Sequence, residues 1–134
     1  LPTGRERSLH KGSLVTTMYR AWASPASVEA LVSQSGPYRA ALRRPFAAHT
    51  ALRGFTSARR LSRSVKRTLS EPLRVPVLSL VGHDDGAWSS LDHAADAQFV
   101  DAPLTQIVIR EAGHFLPEEA PKDVAEALAR HIGA

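Results

Sequence analysis

The sequence contains no cysteine. A disulfide framework, Cys-ligated zinc and a thiol nucleophile are therefore excluded. No apolar run approaches the roughly 18 residues that a membrane-spanning helix needs, so no membrane partner is expected. Neither a Gly-rich phosphate loop nor a dinucleotide fingerprint occurs, so no cofactor is indicated. The residues from Leu1 do not follow the basic-then-apolar order of a signal peptide, and a cytoplasmic location is expected. Acidic residues are scarce in one half only. Positions 1–74 hold 14 Lys and Arg against 3 Asp and Glu, net +11, whereas positions 75–134 hold 3 against 10, net −7. The overall charge of +4 conceals this split. What remains is ordinary for a globular chain: 134 residues, 43% hydrophobic and 22% charged.

The basic half reads as helices. Leu14, Val15, Met18, Tyr19 and Trp22 fall at steps of three and four, which predicts a helix over 12–23 that stops at Ser24-Pro25, because a residue before proline avoids the helical region. A short helix follows from 25 or 26 to about 33. Pro37 near the first helical position marks another over 38–44, and Pro45 interrupts it before a resumption over 47–52. From Thr56 to Leu69, Arg59, Arg60, Arg63, Lys66 and Arg67 recur at helical spacing opposite Leu61, Val65 and Leu69. That pattern predicts one helix with a solvated basic face. No aromatic residues are interleaved for stacking on bases, so no specific nucleic-acid partner is expected.

The texture changes at Val75. Val75-Pro76-Val77-Leu78-Ser79-Leu80-Val81-Gly82 is a Val-rich apolar run of strand length, as expected for a strand buried on both faces of a parallel sheet. A second strand runs over 104–110, and residues 89–98 between them have helical spacing. Strand, helix and strand in so short a stretch form a βαβ unit with parallel strands and a right-handed crossover. The last helix starts at Pro121 with Glu118, Glu119 and Asp123 at its electropositive end. Val124, Leu128 and Ile132 stack on one of its faces, and Gly133 ends it.

In open α/β sheets, catalytic groups gather at the carboxyl ends of the strands. Gly82-His83-Asp84-Asp85-Gly86 leaves the first strand and Glu111-Ala112-Gly113-His114-Phe115 leaves the second. If the strands are neighbours, a carboxylate from Asp84 or Asp85 and the imidazole of His114 project from adjacent tips. An Asp so placed can hold the Nδ1–H of a histidine while the other ring nitrogen takes a proton. A metal site is the rival use of His83, Asp84, Asp85, Asp92, His93 and His114. No H-E-x-x-H or similar spacing accompanies them, and adjacent Asp84 and Asp85 aim poorly at one ion, so no metal is expected.

The two segments, Gly82-His83-Asp84-Asp85 and Gly113-His114-Phe115 with Glu119-Ala120-Pro121 just beyond, resemble the carboxyl-terminal end of an α/β-hydrolase. In that family a strand closing in G-x-x-D supplies the acid and the next strand, closing in G-H-F, supplies the histidine. The resemblance implies Asp85 and His114 as the catalytic acid and base, with no metal or cofactor. The arginine-rich helices, including Tyr38-Arg39-Ala40-Ala41-Leu42-Arg43-Arg44-Pro45, resemble the helical cap that epoxide-hydrolase-like members insert before these strands. The implied fold is an α/β one: a helical cap region over 1–74, then the last βαβα portion of the parallel sheet over 75–134. The resemblance also implies a small-molecule substrate for the complete protein, an ester or an epoxide.

Two departures qualify that expectation. Ser13, Ser35 and Ser57 do not lie between glycines at the spacing of a G-x-S-x-G elbow, and no H-G-G-G or H-G-x-P loop is present. The nucleophile and five or six strands are expected in sequence that precedes Leu1, and the chain alone is expected to be inactive. Gly86 stands where relatives often carry proline, which predicts a looser acid turn. A non-catalytic reading also follows: two strands without neighbours expose apolar surface and unpaired backbone, and the chain then pairs with a missing half or with itself.

Overall fold

The computed structural model describes residues 4, 7, 11–57, 62–88 and 93–133. The basic half is helical. Helix α1 spans Ser13–Trp22, α2 Val28–Ser33, α3 Gly36–Leu42, α4 Ala47–Ser57 and α5 Arg63–Leu69. The periodic residues of α1 do what their spacing predicts: Val15 and Tyr19 are buried and pack with Leu31 of α2, and Ala23, Val32, Leu42 and Phe115 close over them. Pro37 lies in the first turn of α3. Beyond Pro45, α4 runs five residues further than its apolar spacing predicts.

The expected helix over 56–69 is not continuous. Ser62 has extended backbone (φ −62°, ψ 159°) and accepts the Val65 N–H through its hydroxyl, so it caps a new helix. A serine at this position satisfies one of the four amide donors that a helix start leaves without partners. Arg59, Arg60 and Leu61 of the expected basic face lie outside the described residues.

The second half carries the sheet. Strands β1 (Val77–Gly82) and β2 (Leu104–Ile109) are parallel neighbours, with Val77 opposite Leu104 and Gly82 opposite Ile109. The connection reaches a 3₁₀ turn at Ala95–Phe99, and the predicted helix over 89–98 lies partly outside the described residues. Among the described residues the sheet consists of these two strands. β1 is accordingly half-buried over its first four residues and fully buried only at Val81 and Gly82. The expected burial on both faces needs layers that the described chain does not supply.

Two further helices follow, α6 (Leu116–Glu119) and α7 (Pro121–Ile132), and Gly133 takes the left-handed conformation (φ 76°) that ends α7. Glu118 and Glu119 therefore belong to a turn of their own and do not load the start of the last helix. Val124 of α7 packs on a small core of Ile109, Ala112 and Ala120, with Ile107 and Leu116 beside it. The predicted apolar stripe of α7 is only partly covered: Val124 is half-buried, whereas Leu128 and Ile132 are 48% and 74% exposed. Mixed helix and parallel strand place the chain in the α/β class. Among the described residues no helix is long and apolar enough to cross a membrane.

Candidate functional site

The tips of β1 and β2 are bonded to each other beyond the strands. The His83 N–H donates to the Ile109 carbonyl at 2.8 Å and the Asp84 N–H to the Ala112 carbonyl at 2.9 Å. At Gly82 a Cβ would stand 2.3 Å from the carbonyl oxygens of Ala112 and Gly113, so only glycine lets the second turn lie this close to the first. Glu111 adopts the left-handed region (φ 56°), a conformation that costs about 1 kcal/mol or more in a residue with a side chain. It turns the chain so that Gly113 and His114 reach the helical half.

On this frame Asp85 and His114 meet. The Asp85 Oδ2 lies 3.0 Å from His114 Nδ1 and Oδ1 lies 3.2 Å from it. A carboxylate accepts and cannot donate, which assigns the proton to Nδ1 and leaves Nε2 as the basic nitrogen. The Asp85 side chain is 6% exposed and that of His114 39%. Asp85 Oδ1 also accepts the N–H groups of Ala87 (2.7 Å) and Trp88 (2.9 Å). Each oxygen of the buried carboxylate thus has a partner, as burial of a charge requires. No described residue hydrogen-bonds Nε2. The imidazole packs edge-to-face on Trp22, with ring centroids 5.3 Å apart, and makes a similar contact with Phe115 at 5.4 Å.

Asp84 turns away and pairs with exposed His83 (Nδ1 to Oδ1, 2.9 Å). His93 is buried 14 residues from Ser79, whose carbonyl it meets at 3.2 Å through Nε2, and its own carbonyl accepts from Gln106. Among the described residues no three His, Asp or Glu side chains gather as metal ligands would, and Asp92 lies outside those residues. Trp88 is half-exposed and donates its backbone N–H to the Asp85 carboxylate.

Gly86 directly follows Asp85 at the seam with α1. A Cβ there would lie 2.1 Å from the Ala21 carbonyl oxygen, so the acid turn is pressed against the end of α1. Glycine leaves room for this approach, which a side chain at position 86 would obstruct. Gly113 makes the matching approach from the other turn, with a Cβ position 2.5 Å from both the Ser24 nitrogen and the Trp22 oxygen. The Trp22 carbonyl in turn accepts the His114 N–H at 2.9 Å.

Sequence reasoning missed Glu119. Its Oε2 accepts the N–H groups of Ser24 (2.8 Å) and Gly113 (2.9 Å), and its Oε1 that of Phe115 (2.9 Å). Its position just before Pro121 suggested interaction with the helix dipole. Nothing in the local pattern points to a partner 95 residues away. Next to it, Glu118 accepts a hydrogen bond from the Tyr38 hydroxyl at 2.6 Å. That bond and the carboxylate's charge raise the Tyr38 pKa above the ordinary tyrosine value. Burial, with a smaller contribution from Glu118, raises that of Tyr19.

Beside the histidine turn lies an apolar cavity of about 390 Å³ between α1, α3 and α4. Met18, Tyr19, Leu42, Leu52 and Phe115 line it, and Glu118 and the Tyr38 hydroxyl form its polar edge. The volume lies in the range of small-molecule sites, which are mostly apolar with a few placed polar groups.

The sequence matches no family model and no curated protein. Among solved structures the fold is similar to that of Cfl2 wild-type from Burkholderia cenocepacia, with a TM-score of 0.63 over 97% of this chain at 19% identity. The chain spans half the length of that structure (50%).

Proposed function

We propose that this chain carries the acid and the histidine of a nucleophile–histidine–acid hydrolytic site, on the carboxyl-terminal part of an α/β-hydrolase fold with its helical cap. The observation that carries the reading is the buried Asp85 carboxylate 3.0 Å from Nδ1 of a half-exposed His114, at the tips of two adjacent parallel strands. In that arrangement Asp85 fixes the tautomer and orientation of the ring and stabilises the imidazolium. Nε2 takes a proton from the attacking hydroxyl or water and later returns it. The nucleophile is not among these residues. A serine elbow gives ester hydrolysis, and an aspartate elbow gives opening of an epoxide. The apolar cavity beside Phe115 favours a neutral, largely apolar small molecule as substrate.

The test begins with the coding sequence upstream of Leu1, read for a G-x-S-x-G elbow or its Asp-bearing equivalent. In a polypeptide that holds the elbow, Asp85→Asn is expected to lower kcat by about four orders of magnitude through loss of the correct tautomer, and His114→Ala by at least as much. Nitrophenyl-ester or epoxide hydrolysis by the 134-residue chain alone is expected at the uncatalysed rate. Turnover by that chain which His114→Ala abolishes would refute the requirement for an outside nucleophile.

A second reading is that the chain is a non-catalytic partner that associates with a complementary half or with itself. Exposed Val108, Leu128 and Ile132 on the sheet and α7 favour it, because a two-stranded sheet with uncovered apolar neighbours gains by burial against another surface.

A further inference from the structure

We infer that Glu119 is the positioning residue of His114, acting through the backbone of the turn. The inference rests on the Asp85–His114 reading. Three consecutive amides, those of Gly113, His114 and Phe115, each have a fixed acceptor: Glu119 Oε2 at 2.9 Å, the Trp22 carbonyl at 2.9 Å and Glu119 Oε1 at 2.9 Å. The same carboxylate takes the Ser24 N–H at 2.8 Å. Ser24 is fully buried, and Trp22, two residues before it, supplies both the acceptor for the His114 amide and the ring against the imidazole. One side chain thus joins the turn that carries the histidine to the turn that carries its aromatic neighbour. Asp85 controls the ring from its Nδ1 side, and Glu119 controls where the ring's Cα stands.

The chemistry of the contact makes the role specific to a carboxylate. Its two oxygens accept three N–H bonds, and no donor is needed. Glutamine has the same shape but turns one oxygen into an NH₂ group. If that group replaces Oε1, the Phe115 amide faces a donor. If it replaces Oε2, the Ser24 and Gly113 amides both do. A buried amide left without an acceptor is costly, so the turn must move. The neighbouring Glu118 contacts Tyr38 and no amide of the turn, so Glu118→Gln removes one charge at nearly the same place without touching it.

The test is side-chain ¹⁵N NMR of the 134-residue chain, which requires no nucleophile. In the native chain His114 is expected to be the Nδ1–H tautomer with a downfield proton on Nδ1. Glu119→Gln is expected to lose that proton resonance and to mix the two tautomers, whereas Glu118→Gln retains the native pattern. A native His114 pattern in folded Glu119→Gln overturns the inference. Asp85→Asn separates the two levels: loss of the Nδ1–H resonance there, with retention in Glu119→Gln, sinks only the role of Glu119. Retention in Asp85→Asn sinks the Asp85–His114 reading itself. If Glu119→Gln does not fold, amide exchange in the native chain decides. Ser24, Gly113 and Phe115 are expected to be protected as one group, and exchange at the rate of open peptide at all three overturns the clamp.

Discussion

Replacing Gly113 with alanine adds one methyl group at the tightest point between the sheet tips and the helices. The new Cβ would stand 2.5 Å from the Ser24 nitrogen, 2.5 Å from the Trp22 oxygen and 2.7 Å from the Ala23 carbonyl carbon. All three are backbone atoms, so no side-chain rotation relieves the contact. Overpacking of this kind costs about 1–3 kcal/mol. Relief by opening the seam would weaken the His114-to-Trp22 and Ser24-to-Glu119 hydrogen bonds, at about 1 kcal/mol each or more for the one to a carboxylate. By either route the destabilisation is about 1–3 kcal/mol, which for a chain of this size lowers the unfolding midpoint by on the order of 10 °C. Thermal unfolding followed by circular dichroism measures it, and the fluorescence of Trp22 at the seam gives a second probe. Gly54 is the control. It lies inside α4, and among the described residues beyond its chain neighbours and its own helix backbone none comes within 4 Å of its Cβ position, so Gly54→Ala should stabilise by about 0.5–1 kcal/mol through the helix preference of alanine. Opposite signs are therefore expected from the same chemical change. A Gly113→Ala midpoint equal to that of the native chain would refute the close approach on which the site geometry depends.

Tyr38 should ionise above the usual tyrosine range because its hydroxyl donates to Glu118. Glu118→Gln should bring it back down in a spectrophotometric titration. The sign for stability follows: a proton held more tightly when folded supports the fold below the unfolded tyrosine value, about 10, and that support disappears as pH rises through the folded value. Ser62→Ala should cost about 1 kcal/mol by removing the α5 cap, read as a shift in the urea midpoint. Sedimentation velocity across a range of concentrations should detect self-association that Leu128→Lys with Ile132→Lys reduces. A monomer at every concentration would count against the interaction reading.

The strands and their turns were legible because a Val-rich run bounded by proline and glycine has few other uses, and because parallel neighbours put Asp85 and His114 on one edge. The distinction between Asp84 and Asp85 came from the spacing of a resembled pattern; in the structure Asp84 spends its amide on Ala112 and its carboxylate on His83. Less legible were features whose partners are distant backbone atoms. Gly86 and Gly113 are needed by the close approach of Ala21 and Trp22, and Glu119 by Ser24. No periodicity records such contacts. The break at Ser62 was hidden for another reason, since the basic and apolar residues on either side keep nearly the same helical phase. The exposed half of the α7 stripe shows that spacing reveals an apolar face but not what covers it.

The joint between the two halves is written mainly in main-chain atoms: the Trp22 carbonyl, the Ala21 carbonyl, the Ser24 amide and two glycines that stay out of the way. Such a joint sets few requirements on the side chain at position 21, which can drift over generations while the geometry persists, whereas position 22 must also supply the ring that packs on His114. Sequence comparison sees little of it, and shape comparison sees all of it. That is a physical route by which a chain with 19% identity to a solved structure can keep a TM-score of 0.63 along 97% of its length.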